Sequence, residues 1–459
     1  MIIAYVGSGG KTTTIKRRTK ELLEDGFSVL VVTSTHMQKE ENTIITHHIQ
    51  DIQDALKESP YVMAGSDCKD KMGPLPYSVY KEACNLFDFV LIEADGSKRL
   101  PIKYPNDTEP VIYENVDEVV IVTGLNALHQ PFKDVCHRFE LCKDILHVHK
   151  DDEVKAEHIQ TLLRKGYIEK MNDMEYKIEP THIDSLYKRV ISVLLKENID
   201  VTLVDETWFA LKPTLIVCGA GHVSLKLVEL AIHLDLHIKV IDDREEFASP
   251  SRFPPNVEVI YDSFDHLDNH LVDHGYYVVV TRGHKDDYEC VKKILNTSYS
   301  YLGMIGSKKK VIKTKSTLLE DGFSKDCIES IHAPIGLDIH AQTPSEIGIS
   351  ILAEIIQVKN QINASSISNE LLQTDKKGTL CIVIDKQGSA PRGKGSMMLV
   401  GDDFVLDTIG GGEVEALAIE DAKKVHGVFI KEYVLDNERS RELGMICGGT
   451  QTILFVSLN

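Results

Sequence analysis

The sequence predicts an α/β protein of two parallel-sheet units followed by a small α+β unit, and three observations lead there. Apolar runs alternate with helical patterns as far as Ile305, the rhythm of parallel strands joined by crossover helices. Two glycine turns, Gly7-Ser8-Gly9-Gly10-Lys11-Thr12 and Gly219-Ala220-Gly221-His222-Val223-Ser224, each stand between such a run and a helical pattern. After about Leu371 the pattern changes to short β runs around one helix.

In the first unit, 1–205, the strand-like runs are 2–6, 29–32, 89–92 and 119–122. The rhythm restarts after Lys212-Pro213 with runs at 214–218, 237–241, 257–261, 276–281 and 301–305. This second unit, 213–360, closes with a helix from about Pro344 to Asn360. Thr343 is placed to cap it, Pro344 suits the first helical position, and Glu346 completes a capping box. Residues 361–366 read as a linker. The third unit, 371–459, holds β runs at 379–384, 397–400, 428–434 and 452–456 around a helix near 413–426.

A chain of 459 residues is long for a single core, so two or three domains are expected. The net charge of -19 argues against coating nucleic acid or an anionic membrane, although Lys308-Lys309-Lys310 with Lys313 and Lys315 would suit a small anion. Met1 leads straight into a strand-like run, without a signal-peptide pattern, and no apolar run approaches membrane-spanning length. A cytoplasmic protein is expected. The nine cysteines are scattered with no C-x-x-C pair, which disfavours a disulfide framework and a closed zinc site.

A strand ending in a glycine turn aims backbone N–H groups and the positive end of the next helix at one point, where an anion can sit. In the first turn, Gly7, Gly9 and Gly10 form the cradle. Lys11 falls where an ammonium reaches β- and γ-phosphates, and Thr12 where a hydroxyl meets Mg²⁺. Glu93 and Asp95, at the end of the run 89–92, are the candidate acids, with Asp95 beside Thr12 on the metal. This describes a P-loop NTPase-like domain for ATP or GTP with Mg²⁺. The loop is shorter than G-x-x-x-x-G-K-[ST], which wants glycine where Tyr5 stands. No clean N-K-x-D run reads the base, and Lys170-Met171-Asn172-Asp173 is a poor substitute. A turn that merely tightens a helix against a sheet explains the same glycines without a ligand.

The second turn, with Gly219, Gly221 and His222, is followed by Asp242 at the end of the next run, about where a Rossmann acid meets a ribose hydroxyl. A Rossmann-type doubly wound domain follows. Arg244, Arg282, His284, Ser307 and Lys308 are expected on the same carboxyl edge, as an anion pocket. In the third unit Cys447, in Gly444-Met445-Ile446-Cys447-Gly448-Gly449-Thr450, stands beside glycines whose N–H groups can stabilise a thiolate, and Arg392 can reach a phosphate or oxo group. Packing explains Cys447 equally well on the residues alone; Cys218 and Cys381, inside β runs, read as buried. His47-His48, His147 and His149 have no matching partners and read as surface residues.

The motifs Gly219–Val223, Asp242-Asp243-Arg244, Thr281–His284, Gly303–Ser307 and Pro334–Ile339 resemble the Rossmann domain of the XdhC/CoxI family. Gly388-Ser389-Ala390-Pro391-Arg392, Gly410-Gly411-Gly412-Glu413 and Cys447-Gly448-Gly449 are similar to that family's other domain, which usually comes first; here the order is permuted. Gly9–Thr13, Thr33–His36, Glu93–Gly96 and Val135–Arg138 resemble the YqeC family. The resemblance implies an accessory factor for molybdenum hydroxylases that binds molybdenum cofactor, as molybdopterin or its dinucleotide form, and assists its sulfuration or selenation and insertion. The YqeC part implies selenium-dependent clients. A xanthine dehydrogenase-like hydroxylase and a sulfur or selenium donor protein are the implied partners, and a homodimer remains an open assembly state. Cys447 would contact the metal or relay sulfur or selenium to it. An NAD(P)-dependent oxidoreductase and a non-catalytic scaffold between hydroxylase and sulfur donor are the alternatives.

Overall fold

The computed structural model describes residues 1–171, 174–209, 213–234, 236–361, 367–388, 392–435 and 449–458. The first sheet has nine strands, in the order Tyr176–Thr181, Glu118–Gly124, Ile2–Gly7, Phe89–Glu93, Val29–Thr33, Tyr61–Cys68, Lys71–Gly73 and Met37–Gln38, with Ile44–Ile45 pairing beside Tyr61–Cys68. Its inner strands are buried almost end to end, as parallel strands covered on both faces must be. These are the four runs read from the sequence. Strand Tyr61–Cys68 also opens on an apolar run, 61–64, which the sequence reading passed over, whereas Tyr176–Thr181 carries none. Pro180 is tolerated because Tyr176–Thr181 is the sheet's edge.

The two faces of this sheet are covered unequally. Among the described helices only Lys11–Glu24 packs on one face, through Ile15 and Leu22 against Tyr5, Val31 and Leu91. Helices Ile49–Glu58, Tyr77–Ala83, Ala156–Gly166 and Leu186–Lys196 pack on the other. That second core runs on without a break through Val190, Leu194 and Trp208 to Leu371, Leu380, Leu454 and Val456 of the third unit. Arg189 fastens the join, donating to the carbonyls of Thr374, Lys376 and Leu458. At Gly395, φ +82, an added Cβ would stand 2.7 Å from the Trp208 ring, so the first and third units meet there at a distance only glycine permits.

The second sheet is parallel, in the order Glu258–Tyr261, His237–Asp242, Thr214–Cys218, Gly275–Val279 and Tyr299–Met304. It has its own apolar core on each face and is doubly wound, with the order turning back beside Thr214–Cys218, where such sheets bind ligands. The helix Pro344–Gln361 begins as the sequence indicates: Glu346 accepts from the Thr343 N–H, and Thr343 Oγ1 accepts from the Glu346 N–H. The third sheet is antiparallel, ordered Val405–Asp407, Met397–Val400, Thr379–Gly388, Gly449–Ser457 and Val428–Leu435. Helix Gly412–Ala422 covers one face through Val414 and Ala418. It stops short of 426, and Gly427 turns the chain with φ +82. Among the described residues no helix is long and apolar enough to cross a membrane.

Candidate functional site

The first strand ends in backbone that favours glycine: φ is +91 at Gly7, +79 at Gly9 and +128 at Gly10. A Cβ on Gly7 would lie 2.2 Å from the Val122 carbonyl oxygen, and one on Gly9 2.4 Å from the Gly124 nitrogen. The turn is therefore pressed against the next strand, and Lys11–Glu24 starts directly after it with no side-chain cap. Uncapped N–H groups at a helix start favour an anion.

Beneath the turn lies a buried charge network. Lys11 Nζ is 2.8 Å from Asp95 Oδ1 and donates to the Gly7 carbonyl at 2.6 Å. Asp95 is 0% exposed, and its Oδ2 accepts from Gly7 N–H and Tyr167 OH, both at 3.0 Å, with Lys103 Nζ also at 3.0 Å. Lys103 donates onward to the Gly96 carbonyl and to Glu109, both at 2.6 Å. Burial opposes ionisation of Glu109, yet Arg138 and Lys103 together hold its carboxyl at about 2.

Asp95 thus stands behind the turn as its anchor, not at the mouth beside Thr12. The carboxylate facing Thr12 is Glu93, whose Oε2 accepts from Thr12 Oγ1 at 2.9 Å and which lines the cleft. Burial pushes the Glu93 carboxyl up, while Lys11 and Thr12 oppose that rise.

The cleft in front of the turn has a volume of about 730 Å³ and is lined by Gly9, Gly10, Lys11 and Thr12 together with Lys71, Lys98, Arg99, Arg138 and His182. Among the described residues Lys71, Lys98 and Arg99 have no carboxylate within ion-pair distance. Lys98, Arg99, Arg138 and His182 adopt φ of +49, +63, +64 and +58. Left-handed backbone at a non-glycine residue costs about 1–3 kcal/mol and concentrates at functional sites. The sequence reading missed Lys103, Glu109 and Tyr167, which come from separate elements, and also Lys98 and Arg99. A basic pair directly after Glu93-Ala94-Asp95-Gly96 was the available signal for the last two.

The second turn is built differently. Gly219 has φ +108 and would bring a Cβ within 2.5 Å of the Val280 oxygen, whereas nothing lies within 4 Å of a Cβ on Gly221. Helices His222–Ala231, His284–Ile294 and Lys308–Glu320 all start on this carboxyl edge. Asp242 is 1% exposed and faces inward: Ala220 N–H donates to it at 2.7 Å, and Arg244 donates through its backbone N–H, Nε and Nη2 at 3.0, 2.8 and 2.9 Å. Burial opposes ionisation, but these donors hold its carboxyl below the usual range. The acid expected to meet a ribose therefore ties down the glycine turn instead.

Three of the edge's cations are engaged too. The Arg244 guanidinium lies 3.6 Å from the Phe247 ring centre, Arg282 pairs with Asp243 at 2.7 Å, and Lys310 pairs with buried Asp287. Ser307 Oγ caps its own helix, accepting from Lys310 N–H. His284 Nδ1 is buried without a hydrogen-bond partner among the described residues; Lys308 is exposed.

In the third unit Glu415 gathers Thr408 OH and the N–H groups of Ile409 and Gly411, fixing the glycine turn before its helix. Buried Gln451 reaches the carbonyls of Arg392 and Ile409. Cys447, Ser389, Ala390, Pro391, Asn172 and Asp173 lie outside the described residues. Cys218 and Cys381 are fully buried. No group of histidine, cysteine or acidic side chains among the described residues is arranged to hold a metal.

Three families match successive parts of the chain: YqeC protein over residues 3–140, the XdhC Rossmann domain over 215–355, and the XdhC and CoxI family over 371–428. The uncharacterized protein YqeB of Escherichia coli K12 is 35% identical over 151 residues, 33% of this chain and 28% of that protein. A probable xanthine dehydrogenase subunit of Bacillus subtilis 168 is 27% identical over 249 residues, 48% of this chain and 71% of the relative. The uncharacterized protein YqeC of Escherichia coli K12 is 27% identical over 175 residues, 36% of this chain and 67% of the relative. The match to YqeB thus spans less than a third of that protein's length. The chain joins a YqeC-type region to an XdhC-type Rossmann domain and an XdhC/CoxI-type region, in that order.

Proposed function

We propose that the chain is an accessory maturation factor for a molybdenum hydroxylase and that its first cleft binds a Mg-nucleotide, ATP or GTP. The observation that carries the nucleotide is a cluster of cations, Lys71, Lys98 and Arg99, without carboxylate partners among the described residues and set around an uncapped glycine turn, in a chain whose net charge is -19. Lys11 would turn from Asp95 toward the β- and γ-phosphates, leaving Asp95 held by Lys103, Tyr167 and Gly7. Thr12 and Glu93 would hold Mg²⁺, directly or through water.

The similarity to a protein named as part of a xanthine dehydrogenase supports a xanthine dehydrogenase-like client. For the molybdenum cofactor, the open space at Gly221 and the three helix starts fit a phosphate. Gly219, Gly221, His222, His284, Ser307 and Lys308 would hold that end, with Arg244 and Arg282 sharing their present carboxylate partners. The bound group would supply the metal–sulfur centre that the client uses. Cys447 is assigned the soft thiol for that centre and for handling sulfur or selenium, and Arg392 an anion contact. The saturated state of Asp242 weighs against a pyridine nucleotide, which would need that carboxylate for its ribose. A sulfur or selenium donor as partner, a selenium-dependent client, a homodimer and a cytoplasmic location belong to the same reading.

Purification from a host fed molybdate and selenite, followed by metal analysis and mass spectrometry of the released ligand, tests it. A pterin phosphate carrying molybdenum supports the reading; tightly held NADH with no molybdenum replaces it with the oxidoreductase.

A further inference from the structure

The segment 96–101 lines the first cleft and is pinned from three sides. Lys103 Nζ donates to the Gly96 carbonyl at 2.6 Å, Ser8 Oγ to the Leu100 carbonyl, and Gly124 N–H to the Pro101 carbonyl at 3.0 Å. Between these anchors Lys98 and Arg99 are consecutive, exposed and left-handed. Ordinary loops avoid two such residues in succession unless the surroundings enforce them. Lys11 is fastened to Asp95 and Arg138 to Glu109, so Lys98 and Arg99 are charges held beside the turn with no carboxylate among the described residues to neutralise them.

We propose that the cleft hydrolyses the terminal phosphoanhydride of its nucleotide and that Arg99, supplied from within the same chain, is the catalytic cation. This rests on the Mg-nucleotide reading above. Water oxygen bonds to the γ-phosphorus as the bond to the β–γ bridging oxygen breaks; the electron pair stays on the nucleoside diphosphate, and the proton leaves with inorganic phosphate or to solvent. No oxidant or reductant is needed. Arg99 fits the role better than Lys98, because a guanidinium never loses its charge and offers a planar fork to the terminal and bridging oxygens together. Lys98 adds binding charge.

The test uses the full chain with Mg-ATP and Mg-GTP, measuring phosphate release, nucleotide affinity by titration, and capture of the diphosphate with aluminium fluoride. Arg99→Gly is the informative variant, since glycine keeps the left-handed backbone while removing the guanidinium. It should lower kcat on the order of 10³-fold, far more than it weakens nucleotide affinity, because Lys71 and Lys98 stay at the cleft, and lose aluminium fluoride capture. Arg99→Lys should recover part of the rate, and Lys98→Gly should act mainly on affinity. Wild-type protein that binds nucleotide but releases no phosphate overturns the inference alone, as does Arg99→Gly with unchanged kcat or a loss confined to KM. A flat titration with wild-type protein overturns the nucleotide reading as well.

Discussion

The two glycine turns look alike in sequence, yet the molecule has used their charges in opposite ways. At the first, the buried acid Asp95 is shared by two lysines, and Lys71, Lys98 and Arg99 stay without carboxylate partners among the described residues around the cleft. At the second, Asp242 takes all its bonds from the turn and from Arg244, while Arg282 and Lys310 are matched by Asp243 and Asp287. A cleft with unmatched positive charge gains from a polyanion. An edge where Arg244, Arg282 and Lys310 are already paired gains little from those three unless a ligand breaks an existing pair, which leaves Lys308 as its exposed cation. The first turn is therefore set for phosphates by charge, and the second by shape and helix ends.

The largest expected difference lies in the anchors. Asp95→Ala leaves Lys11 and Lys103 buried without their shared partner and should destabilise by about 3–5 kcal/mol. Asp242→Ala frees Arg244, whose side chain is 23% exposed and can turn to solvent, so the loss should be nearer ~1–3 kcal/mol. Denaturant midpoints of the two variants check this, and a larger loss for Asp242→Ala would reverse the comparison.

Next come the glycines. Gly7→Ala meets the Val122 carbonyl in a left-handed backbone and should cost several kcal/mol, or at least ~2. Gly221→Val should stay within ~0.5 kcal/mol of wild type, because its Cβ meets open space, while blocking cofactor retention. Thermal unfolding with ligand analysis separates these; a folded Gly221→Val that still retains cofactor would remove the second turn from the site.

The smallest effect is in pH dependence. The Glu93 carboxyl is raised in the folded chain, so it contributes stability while protonated, and that contribution falls as pH rises from the ordinary carboxylate value through the raised one. Glu109, held at about 2, and Asp242, also lowered, act oppositely: their contribution is present above the unfolded value and is lost as pH falls through the folded one. Glu93→Gln should gain stability relative to wild type toward neutral pH, and Glu109→Gln should flatten the acid limb. Melting temperatures between pH 3 and 7 would show it; no relative gain for Glu93→Gln means that its burial is not what sets the slope.

Much of this architecture was legible. Four adjacent strands of the first sheet coincide with apolar runs, because strands covered on both faces must be apolar throughout; all five of the second do too, although its edge strand Glu258–Tyr261 has no buried residue. Strand Tyr176–Thr181 was not legible, since an edge strand admits Lys177, Glu179 and Pro180. The joining of the first and third units was equally hidden: Trp208, Arg189 and Gly395 meet only after folding. At the sites, sequence spacing named Lys11, Thr12, Glu93, Asp95 and Asp242 but not their division of labour. Whether a carboxylate faces a cleft or a turn depends on Lys103, Tyr167 and Arg244, whose reach no spacing rule encodes.

The most direct measurement is calorimetric titration of the full chain with Mg-ATP and Mg-GTP, comparing Lys11→Ala with Arg244→Ala. The charge comparison predicts that Lys11→Ala weakens binding by about 100-fold, equivalent to ~2.7 kcal/mol for a charged phosphate contact, while Arg244→Ala stays within about twofold. Equal affinity in wild type and Lys11→Ala, or a loss confined to Arg244→Ala, would contradict it.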